Sequence, residues 1–171
     1  LCIALAREDR AEIDANEAML RRLAPELYKE ETILITAAYR DENFSQIIEN
    51  YQKENERNRG DLIGLIIMVF TEHGLNPPSE VMQYGGFFRE DLTIHSAKVA
   101  QALMEDDNEG LALAIDEAEA HQLIPHAARM RLVLARLTGD RSQLERARPV
   151  LERLEDRLFL RKLREIEEML Q

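Results

Sequence analysis

The chain has 171 residues, 45% of them apolar and 32% charged, which suits one compact domain or a short repeat array and excludes a disordered tail or a membrane-embedded bundle. Seven glycines, five prolines, five Phe, four Tyr and no Trp are too few for the turns and aromatic strands of an all-β fold. The formal net charge of −11 disfavours nonspecific affinity for polyanions, so neither a nucleic acid nor a membrane surface is an expected partner.

The chain opens Leu1-Cys2-Ile3-Ala4-Leu5-Ala6-Arg7-Glu8, without Met and already in helical style, and reads as a piece of a longer protein. Cys2 is the only cysteine, which rules out an intramolecular disulfide and fits a reducing, cytoplasmic setting. The longest apolar run, Leu62 to Phe70 with Gly64 inside it, falls far short of the roughly 20 residues of a membrane span and predicts a buried helix.

Four aspartates punctuate the chain. Asp9, Asp41, Asp107 and Asp140 are separated by 32, 66 and 33 residues, and Gly74 occupies the slot that lacks its Asp. A shift of 33 residues pairs Leu111 with Leu144, Ala114 with Ala147, Ala127 with Leu160, Met130 with Leu163 and Val133 with Ile166. Each Asp is placed to N-cap the helix that follows, because its carboxylate accepts from backbone N–H groups that lack partners at a helix start. Glu12 and Gln143 stand three residues after Asp9 and Asp140, the spacing of a capping box. Helices opened by these aspartates are predicted near 10–24, 42–57, 108–122 and 141–154. Their partners are predicted near 28–39, 60–73, 91–105, 125–137 and 158–170. Gly139 suits the end of the helix before Asp140, and Pro125 the start of another, whereas Pro149 is expected to kink or shorten its helix.

A 33-residue helix–turn–helix period with Gly139-Asp140 between helices, followed by Leu144, Ala147 and Leu151, resembles the tetratricopeptide repeat (TPR). The stretch from Thr138 to Leu154 further resembles the helical C-terminal part of bacterial STAND-type ATPase transcriptional regulators and of ATPase-linked nucleotide cyclases. The resemblance implies an all-α, right-handed solenoid of about five degenerate TPR-like repeats over residues 1–171, as one domain. Leu132, Leu111 and Leu144 stand where the strict repeat has small residues, and Asp156 replaces its closing proline. The implied function is a non-catalytic protein-interaction or sensory module of a larger bacterial signalling or transcription-regulatory protein. Its partner would be a protein or peptide, another domain of the parent, or a second copy.

Two surfaces stand out. The irregular insert near 74–91 carries Tyr84, Phe87 and Phe88 as aromatic anchors beside Arg89. A small effector held between repeats there is the alternative to a protein partner. In the family it resembles, the first helix of each pair lines a concave groove, which implies a face of His126, Arg129, Val133 and Arg136 and another of Phe159, Lys162, Ile166 and Met169. Basic residues there suit an acidic segment. Residues 129–171 hold 11 Lys/Arg against 8 Asp/Glu, while the remaining 128 hold 11 against 25. No catalytic residue, cofactor or metal site is expected. His73, His95, His121 and His126 form neither a His-Glu-x-x-His nor a Glu-x-x-His pattern, and no Gly-rich phosphate loop is present. His121 and His126 flank the turn before Pro125 and are placed to approach one another.

Overall fold

The computed structural model describes residues 10–23, 43–53, 56–83 and 91–171. All regular structure among the described residues is helical: α1 (Arg10–Leu23), α2 (Phe44–Lys53), α3 (Glu56–Glu72), α4 (Ser79–Met82), α5 (Asp91–Met104), α6 (Asn108–Ala120), α7 (Ile124–Thr138), α8 (Ser142–Arg153) and α9 (Arg157–Met169). The expected spans fit these bounds closely, except that α3 starts four residues early and α2 ends four residues short of its expected bound. The expected helix near 28–39 lies outside the described residues. The helices α5, α7 and α9 begin 33 residues apart, at Asp91, Ile124 and Arg157. None of the helices is long and apolar enough to cross a membrane, among the described residues.

Capping explains the boundaries. Asp107 accepts from the Gly110 N–H at 2.9 Å to open α6. Asp140 accepts from the Ser142 N–H at 3.0 Å and from the Gln143 side-chain amide at 3.0 Å, from one residue before the Arg141 that occupies the N-cap position of α8. Those bonds hold its carboxyl below the usual aspartate range. Asp156, at the position of a proline in the strict repeat, caps α9 by accepting from the Phe159 N–H at 3.2 Å. Asn43 does the same for α2, accepting from the Gln46 N–H at 3.2 Å. Asp9 and Asp41 lie outside the described residues.

The helix ends repeat as well. A residue in the left-handed region follows α3, α5, α6 and α8: Gly74, Asp106, Gln122 and Glu155, with φ of 67°, 53°, 64° and 55°. In each case the next N–H reaches back five residues at 2.9 Å: Leu75 to Phe70, Asp107 to Ala102, Leu123 to Ala118, and Asp156 to Leu151. This is the Schellman stop, which satisfies the last carbonyls of a helix. Asp107, Leu123 and Asp156 then start the next helix at once, so successive helices fold back as neighbours. Gly139 ends α7 at φ 75° with a single bond to the Ala135 carbonyl. Pro149 does not shorten α8, which continues to Arg153. It lies on the exposed side, so the carbonyl it leaves unbonded faces water, while Leu144, Ala147 and Leu151 hold the opposite face in the core.

Packing follows the chain. α5 lies against α3 and α6, α6 against α7, α7 against α8, and α8 against α9. Because α4 has only four residues, α5 packs directly on α3, and the end of α3 also reaches α7. One apolar cluster joins Ile66, Ile67, Leu132, Leu151, Phe159 and Leu163, and a second joins Val99, Leu111, Ile115 and Met130. α7 separates the two and contributes to both. Its ten residues from His126 to Ala135 are all buried.

Candidate functional site

Burying α7 on all sides also buries three of its polar residues: His126, Arg129 and Arg131. A buried charge is tolerated only when paired. Arg129 Nη1 donates to Glu72 Oε2 at 2.9 Å and its Nε to Asp156 Oδ2 at 2.9 Å. His126 Nδ1 lies 2.9 Å from Glu72 Oε1, so the end of α3, the middle of α7 and the cap of α9 share one ionic cluster. The Arg129 guanidinium also stands 4.8 Å from the centre of the Phe159 ring. Burial pushes the Asp156 carboxyl up, against the opposing pull of Arg129 and the Phe159 N–H. The sequence expectation that His126 and Arg129 line an open groove is therefore corrected: both point inward and brace it from behind.

Ser96 Oγ lies 3.3 Å from His126 Nε2, completing a serine–histidine–carboxylate order. In hydrolases that order activates an exposed serine beside an oxyanion hole. Here Ser96 has no exposed surface and sits mid-helix in α5, where no substrate carbonyl can approach. The chain of contacts ties α5 and α3 to α7.

In front of this cluster lies a half-enclosed groove of about 200 Å³. Its walls are Leu132, Val133 and Arg136 from α7, Phe159, Lys162, Glu165, Ile166 and Met169 from α9, Glu72 from the end of α3 and His73 from the turn after it. Arg136, Lys162, Val133, Phe159, Ile166 and Met169 thus meet in one place, whereas Tyr84, Phe87, Phe88 and Arg89 lie outside the described residues. Arg136 is exposed at the mouth, its Nη2 3.4 Å from the Gly74 carbonyl. A Cβ on Gly74 would overlap that guanidinium and come within 3.1 Å of Val133 Cγ1, so any other residue there would require the Arg136 tip to shift. The Lys162 ammonium stands 5.7 Å from the Phe159 ring centre.

No family model, curated protein or solved structure matches the chain. The site must therefore be read from its own chemistry.

On the far side of α7, Arg131 Nη1 donates to Gln143 at 2.8 Å and Nη2 to Asp116 at 2.8 Å and to Glu119. Arg146 adds bonds to Asp116 at 3.1 Å and Glu119 at 3.0 Å. The Arg131 hydrogen bond holds the Asp116 carboxyl below its usual range. His121 approaches His95, with ring centres 4.7 Å apart. Lys98 pairs with Glu117 and holds that carboxylate low. No group of three or more His, Cys, Asp or Glu suited to a metal ion occurs among the described residues.

The cluster at Glu72, Arg129 and Asp156 escaped the sequence reading because its members are 57 and 27 residues apart. One signal was present. The run Ala127 to Ala135 is apolar on every side of the helix except at its two arginines, the mark of a central helix whose charges need partners.

Proposed function

We propose that the chain is a non-catalytic protein-interaction or sensory module, a right-handed solenoid of degenerate TPR-like repeats within a larger cytoplasmic bacterial signalling or transcription-regulatory protein. The 33-residue recurrence of α5, α7 and α9, with a Schellman stop directly after α5 and directly before α7 and α9, supports the repeat reading. The groove between α7 and α9 carries the functional reading, because it sets an apolar floor beside exposed Arg136 on a braced scaffold. A protein or peptide segment seated there would be held by side chains whose backbone cannot shift without breaking the buried ionic cluster.

The test is quantitative capture from bacterial lysate with the intact chain, an Arg136→Glu variant and a Met169→Arg variant as baits. Both substitutions are at exposed positions, so the fold is expected to survive and circular dichroism checks it. A protein retained by the intact chain and lost with both variants fits the reading. Equal capture by all three baits removes the groove from it. A fluorophosphonate probe is expected to leave Ser96 unlabelled, and stoichiometric labelling would overturn the non-catalytic part.

A further inference from the structure

We infer that this half-enclosed groove is a binding site for a small monocarboxylate with an aromatic or branched aliphatic tail. The inference goes beyond the partner reading and depends only on the groove itself.

Size is the first argument. Drug-sized ligands and cofactors occupy roughly 300–1,000 Å³, and an apolar cavity of roughly 150 Å³ takes benzene. A volume of about 200 Å³ therefore fits a phenyl or isobutyl group with a short acidic arm. Wall chemistry is the second argument. Leu132, Val133, Phe159, Ile166 and Met169 supply the apolar sides, against which the tail loses its contact with water.

Charge is the third argument. The acid nearest the floor, Glu72, is already held by Arg129 and His126 and does not oppose an incoming anion in full. Arg136 stands at the mouth with a planar fork of donors that matches a carboxylate. Among the described residues, its one hydrogen bond is the long contact to the Gly74 carbonyl. Gly74 leaves room for that fork across the turn, since a Cβ there would displace the guanidinium from its present place. Lys162 and Glu165 in the wall offset one another in charge, so Arg136 leaves the lining one net positive charge, which matches a monoanion better than a diacid.

The experiment is calorimetric titration of the purified chain with 3-phenylpropionate and 4-methylpentanoate, against 3-phenylpropionamide and glutarate as controls. Binding is followed in parallel by methyl NMR. The expected result is saturable binding of the two monocarboxylates with Kd between about 10 µM and 1 mM, with shifts confined to the methyls of Leu132, Val133, Ile166 and Met169. The amide and the diacid are expected to bind at least about tenfold more weakly, because a charge-assisted hydrogen bond is lost or opposed.

Arg136→Ala should weaken binding by about 10- to 100-fold with an unchanged melting temperature. Met169→Trp, at an exposed lip position, should block the cavity without unfolding the chain. Equal affinity for acid and amide, absence of saturable binding, or an unaffected Arg136→Ala variant each overturn the inference. Partner capture through the groove without monocarboxylate binding would overturn this inference and leave the interaction reading intact. The converse result would uphold the inference and overturn the interaction reading.

Discussion

Arg129 and Arg131 stand two residues apart on α7, so they leave the helix on opposite sides. Both are buried, but they meet different surroundings. The partners of Arg129 are the buried carboxylates Glu72 and Asp156, 1% and 2% exposed. The partners of Arg131 are Asp116 and Glu119, 55% and 41% exposed, and Arg146 shares both. The first cluster is sealed behind the groove and joins helices distant in sequence. The second is wet on one side and joins three consecutive helices. The difference teaches that the same residue type on the same helix can act as a keystone on one face and as an ordinary surface clasp on the other.

The widest separation should come from removing each arginine in turn. Arg129→Met leaves two carboxylates buried without their cation and should cost about 3–5 kcal/mol in urea unfolding. Arg131→Met strands nothing in the interior, because Asp116 and Glu119 retain water and Arg146. It should cost only about 1–2 kcal/mol. Equal losses would show that the two environments do not differ in the way their exposure implies.

The two clusters should also respond to pH with opposite sign. Asp116 is held below its usual range, so between its folded and unfolded values the unfolded chain binds the extra proton. Its contribution is complete above the ordinary aspartate range and is lost as pH falls through the lowered folded value. Asp156 is pushed up by burial, so there the folded chain binds the extra proton. Its contribution is complete below the ordinary range and is lost as pH rises through the raised value. Urea midpoints followed from acid to neutral pH should show Asp116→Asn removing part of the acid-side loss. Asp156→Asn, which keeps a capping side chain, should remove part of the opposing trend. Variants whose profiles shift in the same direction would refute the assignment.

The smallest expected effects lie in the turns. Asp106, Gln122 and Glu155 adopt a left-handed conformation that disfavours side chains, whereas Gly74 and Gly139 adopt it freely. Gln122→Gly should stabilise by no more than about 1 kcal/mol, because greater freedom in the unfolded chain offsets part of the relief. Gly139→Ala should destabilise by about 1 kcal/mol through conformation alone, since no atom lies within 4 Å of the added Cβ. Thermal melts of both variants check the pair, and shifts of the same sign would contradict it.

Much of this architecture could be read from spacing. Asp107, Asp140 and Gly139 mark helix boundaries because capping is local chemistry, confined to three or four residues. The 33-residue recurrence that pairs Leu111 with Leu144 and Ala114 with Ala147 likewise marks buried faces. Val133, Arg136, Lys162 and Ile166 could be assigned to one groove because the resemblance to the tetratricopeptide repeat implies that the first helix of each pair lines it. Arg129 and His126 were misplaced because periodicity gives the face of a helix, and a helix enclosed on all sides has no outward face. Glu72 could not be found at all, since its role depends on α4 being too short to keep the end of α3 away from α7. The left-handed turns at Gln122 and Glu155 were equally hidden, because neither residue type signals that conformation.

The central claim is that the chain engages its partner through the groove between α7 and α9. Site-specific photo-crosslinking tests it most directly, with a benzophenone side chain introduced at exposed Met169 in the groove and, separately, at exposed Leu113 on α6. Reaction in bacterial lysate should give a discrete adduct from position 169 and none from position 113. An adduct from position 113 alone, or the same adduct from both, would contradict the account.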